Sequence, residues 1–419
     1  MPASSPSSPP AADGARDRIA RVAAALQASL LPLLAQLAGS PPRPMRLTRR
    51  DPGPGLDKSL ASRLVQAARA ESPAELMHRV PSPTGLRILI ERAQFFADAG
   101  LIARTAQAVE QFEQLLDGLP GGRQGLDASL GEAQDSIREK REQIARQASF
   151  KAVSFLFGHY CETLATALFA FPSATPGRVD LLEVHRRVGL RRLTATAQLP
   201  LLSLYSGRYD AETAPLDRLM ADVTGNAAAR AAADFIVPEA SSQPLPALQV
   251  VEEGLLSTFL LGGGSVDVAP LKITTAFRLL RAETLAQTAP WNLLRIYMLH
   301  TPCRRLVRDL HLADGLWPDA FPQIAYTLPS PSGAPAVELD PAEPHYRRVN
   351  LATRIEQRPP GEAGYVLPGV PDHRDTLVRL LQRAGQDPAG FRGWRCETAY
   401  PVPLIEMNLG LRFRGTPPG

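Results

Sequence analysis

Glu139-Lys-Arg-Glu-Gln-Ile-Ala-Arg-Gln-Ala-Ser-Phe150-Lys-Ala-Val-Ser-Phe-Leu-Phe-Gly-His-Tyr160-Cys-Glu-Thr-Leu-Ala-Thr-Ala-Leu-Phe-Ala170 changes character along its length. It opens with Glu139, Lys140, Arg141 and Glu142, then turns apolar through Val153, Phe155, Leu156, Phe157, Leu164, Leu168 and Phe169. Together with the residues just before it, the stretch predicts one long helix over 126–170, passing from solvent into a core or a subunit interface. Pro172 and Pro176 end it, because proline cannot continue a helix. On this reading a helical part of the chain lies before the long helix and a part of different periodicity after it.

Upstream, Gly118-Leu-Pro-Gly-Gly-Arg-Gln-Gly125 has the composition of a linker. Before it, residues 17–38 set Ile19, Val22, Leu26, Leu30, Leu33, Leu34 and Leu37 at steps of three and four, an amphipathic helix that Pro32 should kink or divide. Residues 40–54 are rich in proline and arginine, and a helix over 57–70 follows with Asp57 as its N-cap. Ser72-Pro-Ala-Glu75 is a capping box opening a short helix to about His78. Pro81 and Pro83 end that helix, and two more follow at 84–98 and 100–117. Residues 1–16, rich in Pro, Ser and Ala at their start, read as a disordered tail.

Downstream, residues 178–236 read as short helices and loops, among them Gly189-Leu-Arg-Arg-Leu193 and the alanine-rich 227–233, up to a proline-bearing boundary at 238–246. Strand-like runs then occupy 255–261, 272–280, 292–299, 304–312, 322–328, 347–357 and 394–413, with alternation in Leu271, Ile273, Thr275 and Phe277 and again in Ile405, Met407, Leu409, Leu411 and Phe413. One helix, 372–385, buries Leu377, Leu380 and Leu381 and stops at Gly385. The fold class expected is α+β. It has an N-terminal helical bundle with a helix-turn-helix-like unit, a long central helix, and a C-terminal, mainly antiparallel sheet domain with few helices. The domains expected are a tail at 1–16, a head at 17–117, a linker with the long helix and a mixed helical segment at 118–237, and an α+β domain at 238–419.

Hydrophobic residues are 44% and charged residues 21% of the 419, the balance of a globular chain with real cores. No run of eighteen apolar residues is present, so no membrane partner is expected. Three scattered cysteines, Cys161, Cys303 and Cys396, suit a reducing cytoplasm, and none has zinc-ligand spacing, so no metal or other cofactor is expected. The net charge of +4 is small but unevenly placed. Between Pro42 and Ala70 stand Arg43, Arg46, Arg49, Arg50, Lys58, Arg63 and Arg69 against only Asp51 and Asp57. A local basic patch is what phosphate contact requires.

That patch contains Gly55-Leu-Asp-Lys-Ser-Leu-Ala-Ser-Arg-Leu-Val65 and continues through Gln66 to Arg69. On a helical wheel Leu60, Ala61, Leu64, Val65 and Ala68 share one side, and Ser59, Ser62, Arg63, Gln66 and Arg69 the other. Arginine can pair with guanine O6 and N7, glutamine with adenine N6 and N7, and serine can serve a base or a phosphate. Lys58 falls at the helix N-terminus, where free backbone N–H groups also favour phosphate. The segment resembles the helix-turn-helix of bacterial transcriptional regulators. The whole chain resembles bacterial regulator-like proteins in which a helical head precedes a larger domain. The resemblance implies sequence-specific binding of double-stranded DNA by residues 42–98. Base contacts would come from Ser59, Ser62, Arg63 and Gln66, and phosphate contacts from Arg46, Arg49, Arg50, Lys58 and Arg69. Asp51-Pro-Gly-Pro54 stands where the preceding helix should end, so that helix is either Arg43–Arg50 with a longer turn, or the motif is degenerate. The 126–170 helix would pair two copies, since operators usually bind symmetric dimers.

Other constellations carry less. His159 lies on an apolar stretch and reads as a packed histidine. His300 and Cys303 stand near each other in sequence, as do Asp309 and His311, but neither pair shows a third group that would complete a nucleophilic or metal site. Gly262-Gly-Gly264 is a hairpin glycine run outside any phosphate-loop pattern. Arg191 and Arg192 read as a surface pair. Arg392, Trp394, Arg395 and Tyr400 read as an edge strand rather than a single-strand binding surface. No catalytic motif is present. The alternatives to a DNA-binding regulator are an interaction or scaffold protein, or an enzyme whose site assembles within 255–413 from residues distant in sequence.

Overall fold

The structure, a computed structural model, describes residues 11–48, 55–133, 135–205, 212–215, 235–244, 248–253, 256–262, 266, 269–286, 291–329, 346–349, 351 and 353–413. The chain forms two compact units, Met1–Glu142 and Gln143–Gly419.

The first unit is helical: α1 (Ala11–Ala38), α2 (Pro44–Leu47), α3 (Lys58–Ala68), α4 (Pro73–Arg79), α5 (Pro83–Ala93), α6 (Ala99–Asp117), α7 (Arg123–Ala133) and the start of α8 (Asp135–Phe157). Its centre is α1, which packs against α2, α3, α4 and α6. Leu26, Leu30, Leu33 and Leu34 are fully buried there, each contributing about 2 kcal/mol of transfer free energy. The Asp17–Ala38 portion of α1 is long and apolar enough to cross a membrane; in this unit its leucines fill the bundle core. The helix runs through Pro32 as one element, so that proline does not divide it. It also begins at Ala11, inside the segment read as a tail; residues 1–10 lie outside the described ones. The caps at Asp57 and Ser72 follow the sequence signals, and two further caps stand at Ser82 and Asp98. Asp57, Ser72, Ser82 and Asp98 each accept from backbone N–H groups of the helix they precede, and Pro73 and Pro83 stand at first helical positions.

The expected 126–170 helix is three elements: α7, α8 and a strand, β1 (His159–Pro172). Gly158 makes the break. It sits at φ +69°. Its N–H donates to the Phe155 carbonyl, and its own carbonyl accepts from Leu193 and Thr194. A left-handed glycine ends α8, and the chain leaves in extended form. The apolar run after it misled because β1 is buried on both faces, so its side chains show no alternation of polarity.

The second unit is built on β1 and β2 (Arg178–Arg192), then β3 (Leu199–Tyr205), β4 (Glu212–Pro215), β5 (Leu248–Glu253), β6 (Leu256–Leu261), β7 (Leu271–Thr284), β8 (Trp291–Met298), β9 (Cys303–Ala313), β10 (Ala320–Thr327), β11 (Arg348–Val349), β12 (Ile355–Arg358), α9 (His373–Arg383), β13 (Phe391–Ala399) and β14 (Glu406–Phe413). A seven-stranded sheet has the order β12-β13-β9-β1-β2-β7-β4, a four-stranded one β11-β10-β14-β8, and a three-stranded one β3-β6-β5. Among the described strand pairs only β1 with β9 is parallel. One face of the large sheet, through Leu168, Leu181, Phe277 and Leu310, packs on Leu202, Phe259, Leu294 and Leu409 of the smaller sheets. The other face, through Phe169, Leu182, Val184 and Ala276, is covered by Leu377, Leu380 and Leu381 of α9. The fold is α+β, with a helical head and a mainly antiparallel sheet unit.

Residues 178–192, read as short helices and loops, are the long strand β2. The alanine-rich 227–233 lies outside the described residues. Because β1 and β2 hydrogen-bond to β9 and β7, the sheet unit starts long before the boundary expected at 238.

An alanine Cβ at Gly158 would lie 2.2 Å from Thr194 Oγ1, in a backbone conformation that L side chains rarely adopt. Gly177 shares the positive φ, +74°, but has nothing within 4 Å of that position. Gly158→Ala should therefore cost roughly 2–4 kcal/mol in urea unfolding and Gly177→Ala about 1 kcal/mol. Equal losses would contradict the assigned turn.

Candidate functional site

The sequence places its candidate site on α3. Asp57 caps the helix, its Oδ1 accepting from Ser59 N at 2.8 Å and Leu60 N at 2.9 Å. This corrects one expectation. The N–H groups proposed to assist Lys58 in holding a phosphate are engaged by an acidic side chain of the chain itself.

The two faces of α3 fall as the wheel requires. Leu60, Ala61, Leu64 and Val65 are buried, Ala67 joins them, and Ala68 is half-buried. Lys58, Ser59, Arg63, Gln66 and Arg69 are exposed, and Ser62 is half-buried. The Lys58, Arg63, Gln66 and Arg69 side chains make no hydrogen bond or ion pair with the described residues. Arg46 is exposed on α2, whereas Arg49 and Arg50 lie outside the described residues. Nearby acids are partly spoken for: Glu75 pairs with Arg79. Arg79 also donates to the Gln66 carbonyl at 3.2 Å, tying α4 to the end of α3. On α7, Arg123 donates to the carbonyls of Met77, His78 and Val80, closing the C-terminus of α4.

The helix before α3 departs from the expected motif. α2 spans only Pro44–Leu47, not Arg43–Arg50, and residues 48–57 separate it from α3. A short connection of residues 69–72 instead joins α3 to α4. The helix-turn-helix geometry is thus not made by α2 and α3 with a tight turn.

In the sheet unit the lesser candidates resolve into structural roles. Cys303 is buried in parallel register with Cys161, and burial pushes its thiol well above the usual range, the opposite of an activated nucleophile. Asp309 is held by Arg395 through two bonds of 2.7 Å. His311 stacks on Phe169, with ring centroids 4.6 Å apart. Among the described residues, no three His, Cys, Asp or Glu side chains are grouped to hold a metal. Arg192 donates to the Ala197 and Gly262 carbonyls instead of standing with Arg191 as a surface pair. Residues 263–264 of the glycine run lie outside the described residues. β13, read as an edge strand, lies between β12 and β9. Its Arg392 bonds the Trp317 carbonyl and stacks on Trp394, so that basic–aromatic interleaving is internal packing.

Sequence reasoning missed the charged groups buried between the sheets. Glu183, His185 and Arg187 of β2 and Arg308 of β9 are all below 5% exposed. Glu183 accepts from Arg295 Nε at 2.7 Å and lies 2.8 Å from His185 Nε2. Burial pushes its carboxyl up, but Arg295, His185 and Arg308 outweigh that and leave it well below the usual carboxylate range. The signal was present as polar residues at steps of two, Glu183-Val-His185-Arg-Arg187, but it is legible only once 178–192 is taken as a strand.

Buried neutral histidines make stability pH-dependent. Burial lowers His159 to about 4, and burial with nearby arginines lowers His311 and His373 to about 3. Above the unfolded value near 6.5 these groups are neutral in both states, and the full stability is present. As pH falls below that value the unfolded chain takes up protons that the folded chain refuses, and stability is lost until the folded values are reached. Between pH 7 and pH 5 each should contribute about 2 kcal/mol of destabilisation in urea melts. His311→Asn should flatten this slope, and a stability independent of pH across that window would contradict the burial.

No family model matches the chain, and no curated protein matches it.

Proposed function

We propose that the helical unit is the DNA-contacting part of a transcriptional regulator, and that the sheet unit senses a ligand or a partner. One observation carries the reading. α3 is anchored by a fully apolar face and turns Lys58, Ser59, Arg63, Gln66 and Arg69 outward, with the longer side chains unengaged by the described residues. Such a face combines phosphate attraction with donors and acceptors suited to base edges. Arg63 and Gln66 would read bases; Lys58, Arg46 and Arg69 would hold phosphates. With α2 so short, α3 is presented through its packing on α1 and α4 instead of a preceding helix of ordinary length.

The last part of the expected pairing helix, from His159 on, is β1, inside a sheet, so it cannot pair subunits. What remains for pairing two copies is α8, whose Ile144, Phe155 and Leu156 are exposed.

A protein-interaction role has one observation in its favour: Met45, Ile88, Phe95 and Phe96 of the same unit are exposed apolar residues. Gel shifts of the full chain on duplex DNA separate the two. The DNA reading expects retardation at low salt. Arg63→Ala should abolish sequence preference. Arg69→Ala should weaken all duplexes alike and lower the slope of log affinity against log salt by about one. Indifference to every duplex at low salt overturns it in favour of protein interaction.

A further inference from the structure

Between the two layers of the sheet unit lies a buried cluster of polar side chains flanked by apolar clusters. On neighbouring strands of the large sheet, Thr166 of β1 is the register partner of both His185 of β2 and Arg308 of β9, so these three stand abreast. Thr275 of β7 extends the row as the partner of His185. Arg187 follows two residues along β2. From the facing sheet β8 brings Arg295 onto Glu183 and Tyr297 onto Arg308, whose guanidinium carbon is 5.2 Å from the ring centre. The apolar clusters on either side are centred on Leu168, Leu310 and Leu409 and on Leu164, Leu306 and Met407.

The row is oversupplied with donors. Arg295 and Arg308 act on one carboxylate, Glu183, and both of its oxygens are taken, by His185 and Arg295; Arg187, further along β2, gives Nη2 to the Leu201 carbonyl. All three guanidinium nitrogens of Arg308 are buried without a hydrogen-bond partner among the described residues. The same holds for Arg187 Nη1, His185 Nδ1 and Thr275 Oγ1. Arginine cannot shed its proton to escape this situation. Buried charges are normally paired, and buried polar groups normally bonded. A group that completes this row must carry negative charge and several acceptors, and it must be small enough to lie between two sheets.

We propose that the sheet unit holds a small oxyanion, a carboxylate or a phosphate, between its layers. Arg308 is its principal ligand, and Arg187 Nη1 supplies a further donor. Glu183 is not a ligand. It accepts from Arg295 and its Oε1 lies against His185, and it sets the orientation of the row. This site stands independently of DNA contact by the head; within that reading, the anion is the ligand that the sheet unit senses.

The full chain, dialysed into zwitterionic buffer without phosphate or carboxylate, is tested by thermal unfolding. The additions are inorganic phosphate, acetate, or sodium chloride at matched ionic strength. A saturable rise of about 5 °C or more with phosphate or with acetate, beyond that with chloride, is expected; whichever of the two acts identifies the source of the oxyanion. Arg308→Met should lose that rise while leaving the chloride response unchanged, and Arg308→Lys should keep part of it. If neither anion exceeds chloride in the wild-type chain, or if a folded Arg308→Met responds as the wild type does, the proposal is overturned. Because no DNA is present, the outcome is separate from that of the gel shifts.

Discussion

The parallel pairing of β1 with β9 holds the sheet unit together. It sets Cys161 beside Cys303 and runs to Ala170 beside Leu312, joining strands from the start of the unit to strands from its end. β2 and β7 extend the sheet on one side, β13 and β12 on the other. Both faces of β1 are therefore covered, one by the smaller sheets and one by the helix α9. A strand so placed shows no alternation of apolar and polar faces over 164–171, and Gly158 must turn the chain out of α8 for it to form.

That constraint explains what the sequence discloses and what it conceals. Local signals were readable. Asp57 and Ser72-Pro73 mark helix starts, Leu26 to Leu34 mark a core face, and the alternation of 271–277 and 405–413 marks strands. Each depends only on residues a few positions apart. Where burial is two-sided the local pattern vanishes, and an apolar run such as 164–171 suits a helix or a central strand equally. The error then spread, because with β1 taken as helix its hairpin partner β2 had nothing to pair with and read as loops. Gly158 was the one local clue to the break.

The candidate site shows the same division. The polar face of α3 was readable because helical spacing alone sorts Arg63 and Gln66 from Leu64 and Val65. The engagement of its first N–H groups by Asp57 follows from the same cap signal, yet it removes one means of holding phosphate. The buried row around Arg308 was not readable, since it joins residues more than a hundred positions apart through strand register. Its members look like ordinary surface charges in sequence; only pairing across β2, β1 and β9 shows that they share an interior.

The two units thus carry different chemistry: an outward cationic helix face in one, an inward arginine row in the other. Selection from a random duplex library by the full-length chain tests the functional claim most directly. One enriched motif that is lost with Arg63→Ala is the result expected. A library returned without enrichment at low salt would contradict it.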